Sequence, residues 1–241
     1  MSFFILFIGM IKDLLTIVIP CKNESELIDL TLSLLNKQED ISGTKVIIAD
    51  SSDDSTKDII LSGDHSNLNI TIIDGGYPSV ARNKGAMMST TPYILFLDAD
   101  IYLIDNTTIK ECMSIIQKES LELLTCKFRC EGRYSFVFPI FEFFRDLSIR
   151  YSPCAIGGFM LFEYDTFIKV GGFNDEDKFA EDFHLSSKIP SESFKVINKK
   201  IYTTDRRFQK KGLFYMVRVA ILSIMNKNNP AFFKYDHNYW L

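Results

Sequence analysis

The sequence predicts an α/β fold: a single domain built on a mostly parallel sheet flanked by helices. Three observations predict it. Short apolar, β-branched runs recur at residues 14–19, 45–49, 69–73 and 93–97. Segments with apolar residues at helical spacing separate them. Polar clusters follow the first, second and fourth runs, the strand ends beyond which such sheets bind ligands.

Composition bounds the partners. A chain of 241 residues with 46% hydrophobic content is ample for one core. A net charge of -4, from 27 basic and 31 acidic residues, argues against nucleic acid, whose phosphates need a basic face. Cys21, Cys112, Cys126, Cys130 and Cys154 form no C-x-x-C pair and sit mostly in apolar segments. They read as reduced, buried thiols, which suits the cytoplasm. Residues 3–11 are apolar but too short for a bilayer, which takes about 20 residues. They lack the basic start and cleavage site of a signal peptide, and a strand follows almost at once. Residues 1–13 are therefore read as an N-terminal extension, dispensable (Met10 serving as the start) or touching a membrane.

In chain order, strand 14–19 ends at Pro20. Cys21-Lys22-Asn23-Glu24-Ser25-Glu26 opens a helix with Leu27, Leu30, Leu34 and Leu35 on its apolar side. After strand 45–49, the run from Asp50 to Thr56 is rich in cap-forming residues and precedes a helix near 57–61. Strand 69–73 and the turn Asp74-Gly75-Gly76 lead to helix 79–88, which carries Arg82, Asn83 and Lys84. The central strand 93–97 then runs into Asp98-Ala99-Asp100. In extended backbone, residues two apart point the same way, so both carboxylates could reach one point. Two hard oxygen donors suit Mg²⁺ or Mn²⁺ that also holds a phosphate. The plainer alternative makes Asp98 a helix or turn cap.

The second half begins with helix 106–117, with Ile109, Met113 and Ile116 inward, and strand 121–128. Residues 134–151 are dense in aromatics (Phe136, Phe138, Phe141, Phe143, Phe144) and read as a core helix, an apolar groove or a membrane-facing surface. Strand 155–162 is entered through Gly157-Gly158, which permit close backbone approach to a ligand. Helix 164–170 stops at Gly171-Gly172, and Glu181-Asp182 open a helix with Phe183, Leu185 and Ile189 inward. Residues 213–225 form a helix suited either to core packing or to a membrane surface. His65 and His237 are expected at the surface. His184 reads as structural, with approach to a metal as the alternative.

The ordered series of motifs resembles the inverting family 2 glycosyltransferases, from about residue 14 to 208. Its parts are Pro20-x-x-Asn23-Glu24, Asp50-x-Ser52-x-Asp54-x-Thr56, Ala81-Arg82-Asn83-x-Gly85, Asp98-x-Asp100, Gly171-Gly172-Phe173 and Glu181-Asp182. The resemblance implies the GT-A fold, a Rossmann-like sheet in a domain spanning 14–210. Residues 14–104 would be the nucleotide-sugar half, 105–210 the acceptor half, and 211–241 a C-terminal apolar helix and tail. It implies a nucleotide-sugar donor (a UDP- or GDP-sugar), Mg²⁺ or Mn²⁺, and a glycan or lipid-linked acceptor. Pro20, Asn23, Glu24, Asp50 and Ser52 would line the nucleotide. Arg82 would approach the diphosphate, Asp98 the ribose or metal-bound water, and Asp100 would ligate the metal. Asp182 would be the general base, with Gly157, Gly158 and Glu181 on the sugar or acceptor side.

Departures from the family pattern also count. Ala49 stands where many relatives carry an acidic residue, and His184 where Asp is common. No Gln-x-x-Arg-Trp motif is present, which argues against a processive synthase. Instead Arg206 and Arg207 could clamp a phosphate of the donor or of a lipid-phosphate acceptor. Two rivals stay open. One is a nucleotidyltransferase, against which the lack of a glycine-rich loop after strand one weighs. The other is a catalytically inactive nucleotide- or glycan-binding protein. The expected location is the cytoplasm, with peripheral membrane contact as a further expectation.

Overall fold

The computed structural model describes residues 9–235. The extension 1–8 and His237 lie outside the described residues. What is described of the extension's end packs down: Ile11–Leu14 is one helical turn (α1) with Ile11 and Leu14 buried.

Four strands come from the first half: β1 (Leu15–Cys21), β2 (Thr44–Asp50), β3 (Leu68–Asp74) and β4 (Tyr93–Leu97). They alternate with α2 (Ile28–Asn36), α3 (Thr56–Ser62) and α4 (Pro78–Met87). After α5 (Thr108–Lys118) come β5 (Leu123–Cys130), α6 (Val137–Ser148), β6 (Phe159–Glu163) and α7 (Tyr164–Lys169). The chain continues through α8 (Glu181–Ser186), β7 (Phe194–Thr203), α9 (Arg206–Lys211), α10 (Leu213–Met225) and α11 (Pro230–Phe233).

The seven strands form one sheet in the order β3-β2-β1-β4-β6-β5-β7. Only β6 runs against the rest, pairing antiparallel with both β4 and β5. The first half thus supplies one side of the sheet and the second half the other. Alternation along β4 sends Leu95 and Leu97 to one core and Ile94 and Phe96 to the other. Helices α2 and α5 cover the first face. On the second, Phe96 packs with Phe162, Phe167 and Phe173 at centroid distances of 5.0–6.2 Å.

The structure corrects three local expectations. On α2 the buried residues are Ile28, Thr31, Leu32 and Leu35, while Leu30 is exposed. The helix is therefore rotated from the expected apolar face: Ile28, Leu32 and Leu35 turn into the core, and Thr31, carried inward with them, bonds the Ala99 carbonyl at 2.7 Å. β1 does not stop at Pro20 but runs to Cys21, in register with Asp50. Pairing with β4 ends at Val18, past which a proline removes no ladder bond to that strand. His65 is buried rather than superficial, its Nε2 lying 3.7 Å from an Asp29 carboxylate oxygen. The five cysteines are free, and Cys112 and Cys126 share a thiol hydrogen bond at 3.7 Å rather than a disulfide.

Candidate active site

The loops after β1 and β2 are knitted together by short-range polar bonds. Asp50 accepts from the Ser52 amide at 3.0 Å and from its hydroxyl at 2.5 Å. Asp54 does the same for Thr56. The Asp-x-Ser-x-Asp-x-Thr pattern is thus two consecutive side-chain turns. Asn23, left-handed at φ 55°, donates its amide to Ser52 Oγ at 2.8 Å and accepts from the Asp53 amide at 3.0 Å. The Glu24 amide donates to Thr56 Oγ1 at 3.0 Å. Asn23, Glu24, Asp50 and Ser52 therefore come together as one hydrogen-bonded rim, with Pro20 beside it on β1.

Beyond β4 the chain turns, with the Ile101 amide bonded to the Asp98 carbonyl at 3.2 Å. The strand alternation expected to align Asp98 with Asp100 does not apply in that turn, and the two carboxylates take different cations. Asp98 Oδ1 accepts from Arg82 at 2.7 Å, and Asp100 Oδ2 lies 3.3 Å from Arg206. They remain electrostatic neighbours. Burial first, then the Asp98 charge, pushes the Asp100 carboxyl up, while Arg206 and Arg207 pull it down.

Arg206 reaches this point because β7 is tied to the segment after β4. Tyr102 and Tyr202 exchange backbone hydrogen bonds at 2.8 and 3.1 Å, which sets the start of α9 over the Asp100 turn. The Arg206 guanidinium also grips Glu24 at 2.8 and 3.1 Å. Burial raises the Glu24 carboxyl despite this pairing.

On the other side of β4, Arg82 is 3% exposed and forked between Asp98 and Glu181, the latter at 2.6 Å. The Phe173 ring lies 5.3 Å from its guanidinium. Burial works against the Arg82 charge, but Asp98, Glu181 and Asp182 together raise its pKa. Its terminal nitrogens are thus committed to carboxylates, and Glu181 faces inward onto it rather than outward. Sequence reading missed this clamp, because residue types alone do not say which arginine turns into the protein.

Asp182 stands beside the clamp. Its Oδ2 accepts the Gly157 amide at 2.7 Å, and its Oδ1 the Phe183 amide at 2.7 Å. Burial raises its carboxyl, opposed by the Gly157 hydrogen bond and the Arg82 charge. The two glycines divide the work. A side chain at Gly158 would strike Ile101 and Phe128 in the core at 2.8 Å. One at Gly157 would meet Arg82 Nη2 at 2.8 Å and Asp182 Oδ2 at 3.2 Å, inside the site. Gly157→Ala is therefore expected to lower turnover at least tenfold and, by pushing on the buried Arg82 clamp, to lower the melting temperature as well. Unchanged kinetics would show that the site tolerates the displacement. His184 is structural: its Nδ1 pairs with Asp177 Oδ2, and its ring stacks on Phe233 at 4.5 Å.

A mostly parallel sheet with one reversed strand, and acidic and basic side chains gathered at its strand ends, defines a GT-A α/β fold. Solved structures agree. The mannosyltransferase PcManGT from Pyrobaculum calidifontis, in complex with GDP-Man and Mn²⁺, superposes with TM-score 0.66 at 17% identity, over 93% of this chain and 68% of that one. S. aureus TarS 1-349 with UDP-GlcNAc gives 0.61 at 19%, over 87% and 66%. Glucosyl-3-phosphoglycerate synthase from Mycobacterium tuberculosis, with Mn²⁺ and UDP-Glc, gives 0.61 at 14%, over 89% and 79%. At such identities the likeness establishes the fold.

The profile described as "Glycosyl transferase family 2" matches residues 16–169, and the chain belongs to that family. The amylovoran biosynthesis glycosyltransferase AmsB of Erwinia amylovora is 36% identical over 95 residues, 37% of this chain. That match spans 32% of AmsB.

Proposed function

We propose that the protein is an inverting hexosyltransferase-type glycosyltransferase that moves a sugar from a UDP- or GDP-sugar to an acceptor hydroxyl. The observation that carries this reading is Asp182, a carboxylate locked by two backbone amides beside the Arg82 clamp and the Gly157 backbone. An alcohol is too weakly acidic to attack freely at neutral pH, so a fixed carboxylate must take its proton. A carboxylate raised by burial is a better base than an exposed one. With a single base and no enzyme nucleophile assigned, displacement is direct and the anomeric centre inverts.

The residues fit a divalent ion. Among the described residues no three His, Cys, Asp or Glu side chains converge on a metal position. Asp98 and Asp100 instead supply hard oxygens at neighbouring points, which suits Mg²⁺ or Mn²⁺ that takes its remaining ligands from phosphate and water. When bound there, the ion would offset the charge that develops on the leaving nucleoside diphosphate. The paired rim of Pro20, Asn23, Glu24, Asp50 and Ser52 would hold the base and ribose. Arg206 and Arg207, at the start of α9, would take a phosphate of the donor or of a lipid-linked acceptor, Arg206 exchanging its Glu24 and Asp100 partners for it. Residues 14–104 would act as the nucleotide half and 105–210 as the acceptor half.

Donor complexes of PcManGT, TarS and the phosphoglycerate synthase support a nucleotide-sugar, two of them with Mn²⁺. The name of AmsB supports glycan biosynthesis. The test is a thermal-shift screen of UDP, GDP and their sugars with and without Mn²⁺, since preferential binding to the folded state raises its stability. One nucleotide should give a metal-dependent shift, and Asp100→Ala should remove the metal-dependent part. Equal shifts with and without Mn²⁺ would overturn the metal assignment. Nucleotide release that fails with every acceptor, despite donor binding, would favour an inactive binder.

A further inference from the structure

Helix α6 buries Phe138 but divides its other residues unusually. Its inward side carries Glu142 and Arg145, both buried. Glu142 accepts from Arg129 at 2.7 Å, and Arg145 lies 3.4 Å from Asp146. Its outward side carries Ile140, Phe143, Phe144 and Leu147, spaced as one helical stripe, with Phe143 67% exposed. Helix α10 also turns apolar residues outward, Phe214, Val217, Ile221 and Ile224, with Phe214 92% exposed and Arg218 exposed among them.

The two helices are linked through the segments that flank them. Tyr134, just before α6, and Phe138, in its first turn, pack on Phe208 of α9, each with centroids 5.8 Å apart. Beyond their far ends, Lys227 Nζ lies 3.5 Å from the Tyr151 carbonyl. Both stripes therefore belong to one region of the surface. More than half of the large apolar side chains exposed among the described residues lie within residues 136–151 and 214–225. Apolar surface concentrated in this way marks a contact site.

Charge says with what. From residue 206 to 234 the chain carries no Asp or Glu, in a protein of net charge -4; Arg206 is taken up by Glu24 and Asp100 and Lys234 by Glu176, and Arg207, Lys210, Lys211, Arg218 and Lys227 make up the rest of its positive charge. Outward apolar stripes, with Arg218 exposed within the α10 stripe and Asp146 the one acid beside that of α6, match an anionic lipid surface, where apolar burial and headgroup attraction add. No helix among the described residues is long and apolar enough to cross a membrane. At ~1.5 Å per residue α10 is about 20 Å long, against a hydrocarbon core of about 30 Å.

We propose that the α6 and α10 stripes form a peripheral docking face for anionic membranes. The docking stands on the surface alone. Its use, presenting a lipid-linked acceptor near the start of α9, rests on the glycosyltransferase reading.

The full chain should cosediment with phosphatidylcholine vesicles containing phosphatidylglycerol at least tenfold better than with phosphatidylcholine alone. Phe143→Ser with Phe144→Ser, and separately Phe214→Ser, should each weaken that binding tenfold or more. Lys210→Glu with Arg218→Glu should abolish the preference for the anionic lipid. Donor-induced thermal shifts should be the same in all variants, which separates this test from that of the enzymatic reading. Failure to bind either vesicle, or binding untouched by the stripe variants, would overturn the proposal. So would binding lost only on deletion of residues 1–8, or a dimer that the stripe variants split without any lipid binding.

Discussion

Asp182→Asn should cut turnover by at least about a hundredfold, the scale on which a general base contributes. The asparagine is nearly isosteric and still offers its carbonyl oxygen to the Gly157 amide, now bonded to Asp182 at 2.7 Å. It loses the second acceptor, used by the Phe183 amide. The backbone around the site should therefore hold, and a thermal shift with nucleotide should persist while product formation falls. Full activity in this variant would remove Asp182 as the base.

The pH profile provides an independent check. Burial raises the Asp182 carboxyl, with the Gly157 and Phe183 amides and the Arg82 charge acting in the opposite direction. The acid limb of the rate profile should accordingly lie above the ordinary aspartate value of about 3.9. Activity should be lost as pH falls through that raised value. For stability the sign reverses. A carboxyl raised on folding contributes stability that is complete below its unfolded value and lost as pH rises through the folded one. The stability of the wild type relative to Asp182→Asn should therefore decline across that window.

Arg82→Met should destabilise the fold by about 3–5 kcal/mol, the usual result of leaving a buried charge without its partner. Glu181, with 7% of its side chain exposed, would lose the cation at 2.6 Å, and Asp98 the one at 2.7 Å. Asp98 keeps 31% exposure and can recover hydration, which favours the lower end of that range. Urea unfolding would read the loss. Adding Glu181→Gln to Arg82→Met removes the stranded charge and should restore part of it, a positive coupling in the double-mutant cycle. Arg82→Lys should fall between, since one ammonium cannot reproduce a guanidinium fork between two carboxylates. An unfolding midpoint unchanged by Arg82→Met would show that the clamp adds nothing to stability.

By itself the sequence determined the parallel strands, because runs such as residues 14–19 and 93–97 state their burial on both faces locally. It also determined that carboxylates follow those strands, and that residues 213–225 form a helix, matching α10 (Leu213–Met225) at both ends. Tertiary structure alone decided where α6 points. Its apolar stripe at Ile140, Phe143, Phe144 and Leu147 is legible in sequence, but a period of 3.6 marks a face without saying whether that face turns in or out. The inward face carries Phe138 together with Glu142 and Arg145, the glutamate paired with Arg129 on β5. Tertiary structure likewise decided that Arg82 turns inward onto Glu181, 99 residues away, and that Arg206 reaches Glu24 across 182. Such pairings depend on which strands neighbour one another, and local residue preference carries no information about strand order.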